Sequence, residues 1–187
     1  MKYSSRKDTL KHIWQVRKNI FKIILLLFKR ALFHDRSKLK KAEKRGFDEY
    51  TPKLANCTYG SEEYKEFLKE LKLHLDHHYA NNRHHPEHFK NGIKGMNLVD
   101  LIEMFCDWYA ATKRHNDGDI LKSIEINKNR FGYSDDLNAL FENTYKDIFW
   151  CVGCKIHLCR EFPGTCVKTS PGKEYIAERI KTEAYVQ

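Results

Sequence analysis

The sequence is poor in the residues that interrupt helices. Among 187 residues there are nine glycines and four prolines (Pro52, Pro86, Pro163 and Pro171), and strand-like alternation of apolar and polar residues is scarce. That leaves little room for a sheet and points to an all-α fold. Long apolar runs are missing too. The longest, Ile23 to Phe28, falls far short of the roughly 20 residues that span a bilayer, and the first residues lead into no secretory signal pattern. No membrane span and a cytoplasmic location are therefore expected. Thiols stay reduced there, so the six cysteines do not read as a disulfide framework. Acid is the minority charge: 34 Lys and Arg against 25 Asp and Glu give a formal net charge of +9. The surplus suits polyanions such as nucleotides, nucleic acid or acidic lipid headgroups, or else marks only a basic surface.

What is present is a globular balance, 41% hydrophobic and 32% charged. Asp8 can cap a helix running from Thr9 to Gly46, and residues 47–60, with Pro52, Asn56 and Gly60, read as a loop. Ser61 caps a helix to about Tyr79. The polar stretch Asn81 to Gly95 reads as a loop holding one helical turn. Asn97 caps an apolar helix from Leu98 to Arg114. Asp119 opens another to Phe131, closed by Gly132, and Ser134 caps one more to Trp150. Residues 151–172 are rich in cysteine, and a short helix is expected over 173–181. The domain division predicted is 1–150, helical, and 151–187, a Cys-rich tail.

The most informative segment is Asn97 to Arg114. On a helical wheel Asp100, Glu103, Asp107 and Arg114 fall within about 60° of one another, while nearly every other position from 98 to 111 is apolar. A helix apolar almost all round is buried, so its polar stripe must face partners. Carboxylates in an interior pair, protonate or bind a metal. Glu103 fits an internal salt bridge, Asp100 fits a first-turn carboxylate, and Asp107, mid-helix between Cys106 and Trp108, fits a ligand.

Histidines elsewhere can meet that stripe. His12 shares an apolar face with Val16 and Ile20, as a core histidine or as a ligand. His34-Asp35 follows an apolar stretch, as a helix end or as a ligand pair. His74, His77 and His78 have the i,i+3 and i,i+4 spacing that can chelate a metal or form a solvated face. His84, His85 and His88 surround Pro86. Two imidazoles and two carboxylates would make a mixed N/O site open to water and substrate.

The order His12, His34-Asp35-Arg36-Ser37-Lys38, a His-rich middle, then Asp107 resembles the HD-domain superfamily of metal-dependent phosphohydrolases, which carries H…HD…D on a helical bundle. More narrowly, His34 to Lys38, Tyr59 to Lys65, His77-His78-Tyr79 and Asn82 to Glu87 look like an uncharacterised phage and bacterial family. The HD resemblance implies that His12, His34, Asp35 and Asp107 hold a divalent ion (Mn, Mg, Fe, Co or Zn), with His78, His84 and His85 as candidates for a second. It implies Lys38, Arg83 and Arg114 on substrate phosphate, and Lys38, Glu43 and Glu103 as candidate catalytic groups. The activity implied is hydrolysis of a nucleotide or nucleotide-like phosphate ester by metal-activated water. The alternative is a non-catalytic nucleotide- or nucleic-acid-binding module with a degenerate HD site. One condition is severe. A continuous helix would hold His12 and His34 about 33 Å apart, so a shared ion requires a bend near residues 17–24. In the tail, Cys151, Cys154, Cys159 and Cys166 have spacing near that of a structural zinc site; free thiols or disulfides are the other readings. Cys57 and Cys106 look like small core residues.

Overall fold

The computed structural model describes residues 4–58, 61–114, 118–151 and 156–157. Their regular elements are helical except for a two-residue antiparallel ladder, Trp150–Cys151 with Ile156–His157, so the all-α expectation holds. The chain divides into two compact units, 1–119 and 120–187. The polar clusters lie in the first unit, and the last two helices belong to the second.

The first unit comprises α1 (Arg6–Phe33), a 3₁₀ turn (Arg36–Leu39), α2 (Lys41–Ala55), α3 (Glu62–Glu70) and α4 (Lys72–Asn81). Two 3₁₀ turns follow, Pro86–His88 and Gly92–Gly95, and then α5 (Leu98–Thr112). The continuous helix expected from Thr9 to Gly46 is broken at His34 to Lys40. The cause is Asp35, the one non-glycine residue of positive φ (55°) among those described. Aspartate tolerates this left-handed corner better than most residues because its short side chain bonds locally. The loop expected over 47–60 is largely helical instead. Pro52 lies inside α2, which ends three residues later at Ala55, so the hydrogen bond it forgoes falls in the final turn.

Leu71, Met104 and Phe105 are the apolar heart of this unit, yet Glu43, His78, His84 and Asp100 are equally buried. Buried polar groups at this density must satisfy one another. The helices meet closely: a Cβ on Gly46 of α2 would overlap the His74 imidazole of α4, whose Nδ1 bonds the Ala42 carbonyl at 2.7 Å. Gly46→Ala is therefore expected to destabilise the protein by about 1–3 kcal/mol, the usual range for overpacking. Thermal unfolding followed by circular dichroism checks this; an unchanged midpoint would mean that His74 swings aside freely.

The N-terminus of α5 is fixed as its sequence predicts. The Asn97 side chain accepts from the Val99 and Asp100 amides, and the Asp100 carboxylate accepts from the Asn97 amide, a reciprocal cap. In the second unit, α6 (Ile120–Phe131) ends at Gly132 with φ +62°. α7 (Asp135–Thr144) is capped by Ser134 and continues as a π-helical turn, Tyr145–Phe149. The Tyr133 hydroxyl donates to the Ile124 carbonyl at 2.6 Å and its ring meets Phe141 edge-on. Cys57 is buried as expected, but Cys106 is exposed on α5. The zinc site expected at Cys151, Cys154, Cys159 and Cys166 lies outside the described residues, apart from the backbone of Cys151, and so does the helix expected over 173–181.

Candidate metal centre

His34 ends α1 and Asp35 turns the corner, so both side chains meet residues of α4, of the segment after it and of α5. His78 comes from the buried side of α4. His84 and His85 follow on the connecting segment, where Pro86 holds His85 in an extended conformation (φ −99°, ψ 128°), as a residue before proline prefers. Asp107 and Glu103 come from α5.

Of three ligand groups among these side chains, two share Asp35, and the third joins His34, His84 and Glu103. Asp35 Oδ1 lies 3.3 Å from His78 Nε2 and 3.4 Å from His84 Nε2, while His78 Nε2 lies 3.0 Å from His85 Nε2. Four ligands at 2.0–2.1 Å around a tetrahedral ion are about 3.4 Å apart, so Asp35, His78, His84 and His85 stand at a spacing that fits a cation. In the second group, His34 Nε2 is 3.6 Å from both Asp35 Oδ2 and Asp107 Oδ1. The two oxygens of one carboxylate thus address different groups. Asp35 Oδ1 and His84 Nε2 are buried and make no hydrogen bond of normal geometry. Orphaned atoms of this kind call for a ligand or an ion, and the donor set fits one.

The far sides of the rings are held by acids. Glu43 Oε2 accepts from His78 Nδ1 at 2.8 Å and from the Ser37 hydroxyl at 2.9 Å, and its Oε1 faces His77 Nδ1 at 2.7 Å. Glu103 Oε1 faces His34 Nδ1 at 3.0 Å and His84 Nδ1 at 3.3 Å, while Arg30 holds its other oxygen at 2.9 Å. Carboxylate behind imidazole fixes the tautomer and aims Nε2 inward, as in metal sites. Asp100, fully buried, is gripped by Arg30 and by both Nε and Nη2 of Arg83.

The electrostatics follow from this packing. Hydrogen bonds to Asp107 and Glu103 raise His34 to about 10. Burial opposes the charge on Asp35, but His78, His84 and Lys38 more than offset it and hold the carboxyl well below its usual range. Glu103, likewise buried, is pulled down to about 2 by His34 and His84. Burial, with the charges of His84 and His78 beside it, lowers His85 to about 2, so this imidazole stays neutral as a metal ligand must. A cation entering beside His34 has to displace its proton.

Several expectations need correction. α1 is unbroken from Arg6 to Phe33, the bend required near residues 17–24 does not exist, and His12 is exposed on it about 33 Å from His34. His12 is no ligand of this centre, and the four-residue set built on it does not form. Glu43 is fully buried behind His78, and Glu103 is engaged by Arg30, His34 and His84. Arg83 is committed to Asp100 and not to the cleft. Arg114 is exposed beyond the end of α5, about 10 Å along the axis from Asp107. Lys38 does reach the centre, 2.6 Å from Asp35 Oδ2. His34, Asp35, Asp107, His78, His84 and His85 come together as a single cluster.

Sequence reasoning missed Arg30, Ser37 and Asn82. Asn82 Nδ2 donates to the Ser37 hydroxyl and to the His78 carbonyl, both at 2.8 Å. Arg30 carried a signal, since it stands four residues before His34 and so on the same helical face; the other two carried none. Among curated proteins and solved structures, none matches this chain. A family of unknown function (DUF5662) matches residues 1–149, more than half of the chain, and the chain belongs to that family.

Proposed function

We propose that this protein is a metal-dependent phosphohydrolase acting on a nucleotide-like phosphate ester through its own cluster of His34, Asp35, His78, His84, His85 and Asp107. The observation that carries the reading is the pair of ligand groups joined through Asp35, with carboxylates behind His34, His78 and His84. When bound, a divalent ion supplies acidified water and polarises a phosphoryl oxygen. The chain's own residues divide the remaining work by burial. His78 and His84 are 1% exposed, against 29% for His34, 18% for Asp107 and 26% for Lys38, so substrate approaches from the His34–Asp107 side. Lys38, held beside Asp35, offers the nearest cation to a phosphoryl oxygen developing charge. Glu43 and Glu103 keep the imidazoles aimed.

Metal content and phosphate release across a nucleotide panel test the proposal. His34→Ala and Asp107→Ala are expected to lower turnover by at least about a hundredfold, more than loss of an outer carboxylate partner usually does. His12→Ala is expected to leave metal content and turnover unchanged. Equal turnover in all four proteins would remove the assignment. A protein that binds metal and releases no phosphate would be a binding module instead.

A further inference from the structure

α1 is about 42 Å long, and none of its 28 residues is buried. Exposed apolar side chains occur on other faces as well (Ile13, Val16, Ile20, Ile23, Leu25, Leu26 and Phe33), but six of the large ones line up as one stripe. On the helical wheel Leu10, Trp14, Phe21, Ile24, Phe28 and Leu32 fall within about 80° of one another, and each is between 49% and 64% exposed. Arg30, which turns to α5, lies about 160° away on the same wheel. The stripe therefore faces away from the packed side of the first unit and runs the length of the helix. A continuous exposed apolar surface of this size marks an interaction site rather than ordinary surface.

Charge selects the partner. α1 carries eight Lys and Arg against a single acid, Asp8. Lys11, Lys18, Lys22 and Lys29 form a line within about 40° that borders the aromatic edge of the stripe, and Lys18 sits 5.3 Å over the Trp14 ring. Arg17 falls inside the apolar stripe itself. A second copy of α1 laid on this stripe would bury Arg17 with no acid to pair it, since Asp8 lies on the opposite side and nine residues away, and an unpaired buried charge is strongly unfavourable. An anionic lipid surface meets all three features together: acyl chains take the aromatic and aliphatic stripe, and phosphates take Arg17 and the lysine line. Among the described residues no helix is long and apolar enough to cross a membrane, so the contact is with the surface. We infer that α1 is an amphipathic helix that docks the protein flat on an anionic bilayer.

Co-flotation of the full chain with vesicles tests this. Wild type is expected to float with phosphatidylcholine vesicles containing about one third phosphatidylglycerol, to stay unbound with phosphatidylcholine alone, and to release as salt is raised. Phe21→Glu with Phe28→Glu should abolish flotation while leaving the circular dichroism spectrum unchanged, because both rings are exposed. Lys18→Gln with Lys22→Gln should weaken binding roughly twenty-five-fold, about fivefold per lysine. Absence of flotation on anionic vesicles overturns the inference. So does undiminished flotation of the double glutamate variant, or a dimer in sedimentation that the same variant splits while vesicles go unbound.

Discussion

Asp35→Asn is expected to disable both ligand groups with one atom exchanged. The asparagine can hold the same left-handed corner, so the chain still turns from α1 to the 3₁₀ segment, but it presents an amide where both groups require an anion. Oδ1 currently faces His78 and His84, and Oδ2 faces His34 and Lys38. Without the negative charge, Lys38 and His34 are left beside each other without their shared counter-ion. Metal content of the purified variant should drop below about a tenth of wild type, and turnover should fall by more than about a hundredfold, since a direct ligand outweighs the outer partners whose loss costs 10- to 100-fold. Circular dichroism should report the same helicity. Full metal loading in Asp35→Asn would show that the two groups do not depend on a common acid.

Glu43→Ala should act through the fold as well as the site. Glu43 is completely buried, with Ser37, His77 and His78 all bonded to it. Removing it leaves the buried His78 Nδ1 without its carboxylate partner and the Ser37 hydroxyl without its acceptor, at a cost of about 3 kcal/mol, which lowers the melting temperature by roughly 6–12 °C. Metal affinity should weaken too, because His78 loses the partner that aims its Nε2. The two effects separate in Glu43→Gln, which keeps the volume and one acceptor and should recover most of the stability with less of the affinity. The acid limb of stability gives a further reading. Burial would raise the Glu43 carboxyl, but His77, His78 and Ser37 hold it below its ordinary value. A depressed carboxyl contributes stability above the pKa of the unfolded chain, and this is lost as pH falls through the folded value. Glu43→Gln should therefore flatten the loss of stability at acid pH. Calorimetric midpoints that match wild type across that range would mean that Glu43 bears no such load.

The helices were legible where capping and periodicity agree. Asn97 with Asp100, Gly132 and Ser134 mark ends that the structure keeps, and the polar stripe of α5 turns inward as its apolar neighbours require. The breaks were not legible, because they rest on tertiary contacts. Nothing local announces a corner at Asp35, since aspartate can enter the left-handed region but does so in few of its positions, and its carboxylate is engaged here by residues distant in sequence. Pro52 reads as a loop former until its place in a closing turn is known. The site was half legible. His34, Asp35 and Asp107 follow from their positions on apolar stretches, and His78, His84 and His85 were visible as a local cluster without a partner. Their union with Asp35 depends on how the corner after α1 packs against α4 and how α1 packs against α5, which no local pattern encodes. His12 misled for the same reason: sharing an apolar face with Val16 and Ile20 places it in line with a core only if that core extends so far along α1, and it does not.

Asp35 joins architecture to chemistry at a single backbone unit, and this has a bearing on descent. Glycine is the residue most at ease in that conformation. A lineage drifting from aspartate to glycine here would keep the corner yet strip His34, Lys38, His78 and His84 of the acid they share. The turn alone would tolerate the change, while the buried imidazoles would be left with unmatched nitrogens. The backbone and the side chain at this one codon therefore place opposite demands on the residue.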